Sequence, residues 1–151
     1  MTEFIIAIDS REQRPFTFES IDPVPATEVV ALRTGDYSLI GHEAEIIIER
    51  KSVTDLFGSC GKGRKRFEKE ILRMAAFNYA AIVCEADWQE ILRSPPPRSK
   101  LSPKVIFSSM IAWEERYKVH FWPCPNRAFA EKVTYRMIER FYTDYKNGFY
   151  L

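Results

Sequence analysis

The sequence predicts a single α/β domain in which a mixed central sheet is flanked by helices. Short apolar runs of strand length occur throughout the chain. From residue 52 onward they alternate with segments that have the apolar period of an amphipathic helix. A chain of 151 residues with 46% hydrophobic and 28% charged residues can bury one core, so we expect one domain over residues 1–151.

The first third of the chain contains four predicted strands. They are FIIAI (residues 4–8), TEVVAL (27–32), DYSLI (36–40) and EIIIERK (45–51). Gly35 and Gly41 mark turns between them. Because these strands follow one another without an intervening helix, we expect them to open the sheet as a meander.

Helix start signals locate the next elements. Ser52 followed by Asp55 is a capping box that begins one helix. A longer helix follows from Arg64, and the residues predicted to mark its inner face are Phe67, Ile71, Met74 and Asn78. YAAIVC (79–84) is a fifth strand, and its near-continuous apolar character indicates burial on both faces.

The last third of the chain repeats this alternation. Asp87 and Glu90 form a second capping box, and SPPPRS (94–99) is a stiff loop. Ser102 and Pro103 begin a helix whose core residues are Ile106, Met110 and Trp113. KVHFW (118–122) is a sixth strand. A final helix runs from about Asn126, and its apolar residues in register are Phe129, Val133, Met137 and Phe141.

The fourth strand runs directly into charged residues. Because side chains alternate across a strand, Glu49 and Lys51 share one face, and Arg50 points to the other. If the third and fourth strands pair as a hairpin, Asp36 lies opposite Glu49. The sequence therefore predicts two carboxylates and an ammonium group at one end of the sheet.

Such a cluster has the composition of a magnesium site. Magnesium is held by one or two carboxylates while it keeps waters and substrate phosphate oxygens, so Asp36 and Glu49 suffice as protein ligands. Lys51 is placed to orient or deprotonate a water, or to stabilise charge that develops at phosphorus. An ordinary ion pair between Glu49 and Lys51 is the alternative interpretation, and Asp36 is also a common residue type in turns.

Positive charge is concentrated in one segment. Six basic residues stand there against Glu68 and Glu70, which gives +4 in a chain whose net charge is +1. The six are Lys62, Arg64, Lys65, Arg66, Lys69 and Arg73. The segment fits contacts with DNA phosphates, and a solvated helix face is the alternative.

Four motifs stand in order along the chain: IDSRE (8–12), GDY (35–37), ERKSVTD (49–55) and GRKRFEKEILRM (63–74). In order and approximate spacing they resemble the nuclease domain of the XPF family. The motifs cover residues 4–84, and the chain is similar to that domain in size over nearly its full length. GD followed by ERK, three residues and Asp, with an upstream DSRE, is a specific combination.

The resemblance implies a restriction-endonuclease-like fold and hydrolysis of DNA phosphodiesters with Mg²⁺ or Mn²⁺. Branched, flap or junction DNA in repair or recombination is the implied substrate class. It implies that Asp36, Glu49 and Asp55 hold metal and that Lys51 lies beside the attacking water. The other residues implied at the site are Asp9, Arg11, Glu12 and Arg50. Among these, Arg11 suits a phosphate and Arg50 suits an ion pair that anchors its strand.

Three alternatives stay open at this level. The Ser52 capping box explains Asp55 without any chemistry. A scaffold module that keeps the fold without catalysis is a different class of function, although it gives no reason to bury unsatisfied carboxylates at strand ends. A resolvase- or restriction-like nuclease has the same metal site and a different substrate.

The resemblance also bears on partners. Larger members of the family carry a tandem helix-hairpin-helix domain after the nuclease domain, and this sequence has no room for one before Leu151. We therefore expect a partner protein to supply DNA grip, or a homodimer formed through the helices at residues 102–116 and 126–146. No apolar run is long enough for a membrane span, so the expected location is cytoplasmic, with no membrane partner.

Overall fold

A computed structural model describes residues 3–150, so Met1, Thr2 and Leu151 of the predicted domain lie outside the described residues. Six strands form one sheet: β1 (Ile5–Asp9), β2 (Ala26–Val30), β3 (Tyr37–Leu39), β4 (Ile46–Lys51), β5 (Tyr79–Cys84) and β6 (Val119–Pro123). All six predicted strands are confirmed, with ends that differ by one or two residues. The sheet is mixed, and the predicted α/β class is confirmed.

The strand order is β2-β1-β3-β4-β5-β6. β3 lies antiparallel between β1 and β4, whereas β4, β5 and β6 are parallel neighbours. The predicted opening meander is wrong, because β2 pairs with β1 in parallel at the edge of the sheet. The connection over residues 10–25 makes this possible: its Phe16 and Phe18 are buried against the ring of Tyr37, with centroids 5.2 and 5.8 Å away.

Helices cover both faces of the sheet. They are α1 (Val53–Cys60), α2 (Arg64–Met74), α3 (Trp88–Arg93), α4 (Pro103–Tyr117) and α5 (Arg127–Lys146). The first four pack on the face that carries Ile47 and Ile82. Helix α5 and the segment 10–25 pack on the opposite face, which carries Ile46 and Ile48. The sheet is thus the middle of three layers.

The helix starts follow the predicted capping residues. Ser52 accepts a hydrogen bond from the Asp55 backbone N–H, and Asp87 accepts one from Glu90. Phe67, Ile71 and Met74 are buried as predicted. Asn78 is not on this face, because α2 ends at Met74. Within residues 3–150, no helix is long and apolar enough to cross a bilayer.

The predicted inner face of α5 is confirmed at Phe141, which is buried, and is wrong at Phe129, which is 48% exposed. Val133 and Met137 are only partly buried. The other buried residues of α5 are Ala130, Thr134, Tyr135 and Ile138. Ala130 and Thr134 contribute little to an apolar pattern. The stripe of Phe129, Val133 and Met137, each one position earlier than a buried residue, therefore stands out in the sequence as the inner face.

Candidate active site

Asp36 and Glu49 meet at one end of the sheet. Tyr37 pairs with Ile48 in an antiparallel ladder, so the residue before Tyr37 lies opposite the residue after Ile48. The Asp36 carboxylate accepts a hydrogen bond of 2.7 Å from the Arg50 backbone N–H, and the side chains of Asp36 and Glu49 line the same cleft. The hairpin pairing predicted from the sequence is therefore confirmed, and it brings both carboxyl groups together.

The environment disfavours charge on both groups. Burial is the main reason that the pKa of Asp36 is raised. The pKa of Glu49 is raised well above its usual range, first by burial and then by the charges of Asp36 and Glu70, and Glu49 is only 7% exposed. Two carboxyl groups this close favour a shared proton unless a cation neutralises them.

Gly35 allows Asp36 to reach this position. Its φ is +74°, in the region that residues with a Cβ rarely adopt. A Cβ built on Gly35 would lie 2.5 Å from Cδ1 of the buried Ile47. The backbone N–H of Asp36 donates to the carbonyl of Ile48 over 2.9 Å, which fixes the turn against β4. The glycine of the GD pair is thus required both by conformation and by space.

Lys51 lies on the same face as Glu49, as strand alternation predicts. Its Nζ is 3.3 Å from Glu49 Oε2 and donates to Ser59 Oγ over 2.9 Å. The ammonium group also lies 4.7 Å from the centroid of the Phe67 ring. These contacts from β4, α1 and α2 hold the Lys51 ammonium group beside the carboxyl pair.

Asp55 sits at the first turn of α1, exposed, and lines the same cleft as Asp36, Glu49 and Lys51. Its backbone N–H is bound by Ser52 Oγ at 3.1 Å, so the predicted capping role of Ser52 is confirmed. Asp55 therefore lies in the same cleft as the carboxyl pair, and its backbone is also part of the helix cap formed by Ser52.

Asp9 and Arg11 form the floor and rim of the cleft next to Asp36. Asp9 is buried, accepts from the Leu32 backbone N–H over 2.9 Å, and pairs with Arg11 Nε over 2.9 Å. The Arg11 side chain remains 67% exposed. Asp9 therefore holds the segment that leads from Leu32 to Gly35. Arg11 offers an accessible guanidinium to a phosphate.

Arg50 lies on the opposite face of β4, in a chain of ion pairs. Its guanidinium donates to both Glu12 oxygens over 2.9 Å and lies 3.2 Å from Glu85, which in turn pairs with Arg127. Burial opposes ionisation of Glu12, but the hydrogen bonds from Arg50 and Arg14 outweigh it and lower its pKa. The expected anchoring ion pair of Arg50 is present, and it ties segment 10–25, β4, β5 and α5 together.

Three side chains at the site were not singled out from sequence. Glu70 of α2 lines the cleft with Asp36 and Glu49 and raises the pKa of both. Glu85 directly follows β5, and its backbone N–H donates to the Lys51 carbonyl over 2.9 Å. The available signal for Glu85 was its place at the carboxyl end of a parallel strand, where sites of α/β sheets lie. Arg127, which begins α5, carried no such signal.

The predicted basic residues separate into three groups. Arg66 and Arg73 line grooves that flank the carboxyl pair, on the same face of α2 as Glu70. Lys65 and Lys69 are exposed one position earlier, and Lys62 is exposed before the helix. Arg64 is bound within the chain instead: it donates to Ser109 Oγ over 2.9 Å and lies 5.0 Å from the Trp113 ring.

The donor set fits a hard divalent cation. Within residues 3–150, no three His, Cys, Asp or Glu side chains come together as a metal site made of protein alone. Two adjacent carboxyl groups match the way Mg²⁺ and Mn²⁺ are held, with water and phosphate oxygens completing the shell. Thr34 supports this, because its buried Oγ1 has no described hydrogen-bond partner and lies in the cleft beside Asp36 and Glu49.

Comparison with known families gives a match over most of the chain. The model of the ERCC4 domain matches residues 8–137, which include every residue of the cleft described above. The chain belongs to the ERCC4 domain family. Comparison with curated proteins finds no match.

Two solved structures share the fold of this ERCC4 domain. XPF from Aeropyrum pernix superposes with a TM-score of 0.71 at 20% identity, over 89% of this chain and 60% of that chain. XPF from Aeropyrum pernix in complex with DNA gives 0.67 at 20% identity, over 91% of this chain and 66% of that one. The chain spans less than two thirds of either structure. These matches confirm the predicted XPF-type fold.

Proposed function

We propose that this ERCC4 domain is a magnesium- or manganese-dependent DNA endonuclease that prefers branched, flap or junction DNA, in repair or recombination. The single observation that carries the proposal is the pairing of Asp36 with Glu49 beside Lys51, at the end of a buried sheet. Glu49 is nearly inaccessible and its pKa is raised well above its usual range by burial, so folding places it there at a cost to stability. In a scaffold module without catalysis, nothing would offset this loss of stability.

Each side chain has a defined part in hydrolysis. A bound Mg²⁺ would polarise the phosphodiester and offset charge in the transition state. Asp36 and Glu49 would hold it, and Asp55 would add a further carboxylate to the site. Lys51, fixed by Ser59 and Glu49, orients the attacking water or neutralises charge at the phosphorus. Arg11 binds a neighbouring phosphate with its exposed guanidinium.

The proposal is tested by incubating labelled duplex, flap, forked and four-way DNA with the protein in Mg²⁺, in Mn²⁺ and in EDTA. We expect cleavage with either metal, none in EDTA, and faster cleavage of the branched substrates. Asp36→Asn keeps the acceptor for the Arg50 N–H and should lower cleavage by about 10²-fold or more, the scale of losing a group that stabilises transition-state charge.

A matched control separates chemistry from folding. Asp87→Asn changes an aspartate that caps α3 and lies outside the cleft, so its cleavage rate should stay within twofold of the parent, roughly the effect of a surface change. Both variants should bind DNA and unfold cooperatively. Full activity of Asp36→Asn, or equal activity in EDTA, would contradict the proposed site.

We also propose that two copies of the chain associate. Helices α4 and α5 leave Phe107, Ile111 and Phe129 between 45% and 48% exposed, and Trp122 of the edge strand β6 is 48% exposed. A groove of about 570 Å³ between β6 and α5, here called the β6–α5 groove, is lined by apolar residues including Trp122, Phe129 and Met137. Apolar surface of this kind on a soluble domain marks an interaction site.

A further inference from the structure

A second groove leads away from the catalytic cleft along α1. Its first part, of about 500 Å³, begins at Lys51 and Asp55 and passes Arg66. Its second part, of about 580 Å³, lies between α1 and the loop at residues 94–101. Thr54 and Gly58 line both parts, so the two adjoin at these residues. We call the whole channel the α1 groove.

Gly58 lies where the two parts of the α1 groove meet. It is in the middle of α1, where glycine is about 1 kcal/mol less favourable than alanine. Its φ is not in the left-handed region, and apart from its own helix backbone no described atom lies within 4 Å of a Cβ built on it. Neither conformation nor packing requires this glycine. Because Gly58 has no side chain, the space where the two parts of the groove meet stays open.

The loop over residues 94–101 carries charge to the far part of the groove. The Ser99 backbone N–H donates to the Pro96 carbonyl over 2.9 Å, and Ser99 Oγ accepts from the Leu101 N–H over 3.2 Å. Three consecutive prolines stiffen the chain just before this turn. Arg98 and Lys100 line the groove with Lys62 from the other side, and none of its lining residues there is acidic.

The floor of the same part is apolar. Phe57 and Leu101 form it, with Pro96 at the side. An apolar floor between basic edges matches a strand whose bases are unpaired, since its bases seek apolar contact while its phosphates seek cations. A duplex keeps the faces of its bases stacked inside, so it offers no base face to an apolar floor. The combination therefore favours single-stranded over double-stranded DNA.

We propose that the α1 groove binds the unpaired DNA strand that continues from the catalytic cleft, with Lys62, Arg98 and Lys100 on its phosphates. The inference rests on the proposed nuclease function and supplies its selectivity for branched DNA. A fork or flap reaches past Gly58 into the groove, whereas a blunt duplex contacts the cleft and α2 only.

The test measures binding in EDTA by fluorescence anisotropy, for a forked DNA and for a blunt duplex of the same paired length, at several salt concentrations. The parent should bind the fork more tightly. Arg98→Ala with Lys100→Ala should flatten the slope of log K against log salt by about 1.4 for the fork, since each lost single-strand phosphate contact contributes about 0.7. The slope for the blunt duplex should not change.

Three further variants complete the design. Arg93→Ala with Lys104→Ala removes the same charge from either side of the loop without touching the groove lining, and should keep the fork preference. Gly58→Leu fills the junction and should reduce fork binding to the level of the duplex. Gly58→Ala checks that α1 accepts a side chain, and its thermal unfolding temperature should equal or exceed that of the parent.

The outcomes separate the two proposals. A fork preference that survives in both Gly58→Leu and the Arg98, Lys100 variant overturns the groove assignment, and so does an equal loss of fork and duplex binding. A parent without any preference for the fork also overturns it. Because binding is measured without metal, absence of cleavage with Mg²⁺ would instead contradict the nuclease function and leave the groove result standing.

Discussion

Glu49 is buried beside a second carboxyl group, so its protonation is linked to folding. Its pKa in the folded chain is raised, so the folded chain favours the protonated carboxyl group. The stability that this protonated form contributes is fully present below the unfolded pKa, and it is lost as the pH rises through the folded pKa. The metal-free protein should therefore lose stability from about pH 4.5 upward, near the unfolded value for glutamate.

Glu49→Gln removes this loss, since glutamine does not ionise. In EDTA at pH 8 we expect the variant to be more stable than the parent, because the buried glutamate is ionised there and the glutamine is not. The two should converge near pH 4. Urea unfolding between pH 4 and pH 8.5 measures the difference, with Glu43→Gln as an exposed control. A parent and a Glu49→Gln variant with parallel pH profiles would show that Glu49 is not held at a raised pKa.

Gly35 makes a second prediction at the scale of one residue. Gly35→Ala should destabilise the fold by about 2–6 kcal/mol, because left-handed backbone strain and overpacking against Ile47 each contribute about 1–3. Gly41→Ala is the matched control: φ at Gly41 is +91°, but no described atom lies within 4 Å of its Cβ. It should cost only the strain of about 1–3 kcal/mol. Equal losses by thermal unfolding in both variants would contradict the steric part.

Residue patterns predicted the carboxylates and the lysine of the cleft, but they did not predict the ion pairs that surround Arg50. Alternation along β4 was enough to place Glu49 with Lys51 and to place Arg50 on the other face. The ion pairs around Arg50 involve elements distant in sequence, since Glu85 directly follows β5 and its other partner, Arg127, begins α5. No local periodicity encodes which strand ends meet, so these ion pairs were visible only in the fold. Glu70 was hidden for the same reason, as one acidic residue in a basic segment.

At the scale of elements, α2 has two charged faces with different surroundings. Arg66, Glu70 and Arg73 face the grooves beside the carboxyl pair, while Lys65 and Lys69 lie on the neighbouring face. A DNA strand in the cleft meets the first face. The sequence predicted the basic segment as a whole, but it could not say that Arg64 is bound by Ser109 and Glu68 within the chain.

We therefore expect the two faces of α2 to differ in salt dependence. Arg66→Ala with Arg73→Ala should flatten the slope of log K against log salt for duplex DNA by about 1.8, since each phosphate contact contributes about 0.9. Lys65→Ala with Lys69→Ala removes the same charge and should change it by less than half as much. Anisotropy titrations across salt concentrations measure both. Equal effects of the two pairs would show that α2 acts only through its total charge.

Across the whole molecule, the strand directions were the part that sequence could not give. Alternating apolar residues identify β1 and β2 but contain no information on whether the two run parallel. Their direction is decided by segment 10–25, which crosses one face of the sheet with Phe16 and Phe18 buried against Tyr37. A similar ambiguity affected α5, where the half-exposed stripe of Phe129, Val133 and Met137 has the same period as the buried one.

The half-exposed stripe of Phe129, Val133 and Met137 supports the last prediction, which concerns the association of two copies of the chain. It lines the β6–α5 groove, next to Trp122 on the edge strand, so helix and strand expose one apolar surface together. A stable dimer needs about 800 Å² from each partner, with aromatic anchors at the centre. Trp122 and Phe129 are suited to that role, with arginines at the rim of the groove.

We expect sedimentation at micromolar concentrations to show a two-fold dimer, which Trp122→Glu with Phe129→Glu converts to a monomer that unfolds at nearly the parent temperature. The exposed side chains make few contacts within the chain, so their loss should cost little stability. Phe149→Glu is the matched control, because Phe149 is 74% exposed and does not line the groove. In a symmetric pair each surface meets its own copy, so one substitution acts twice and a single charged residue at the centre is enough to separate the chains. A parent that sediments as a monomer both free and on DNA would rule out this interface, and a dimer that survives both charged residues would place it elsewhere on the molecule.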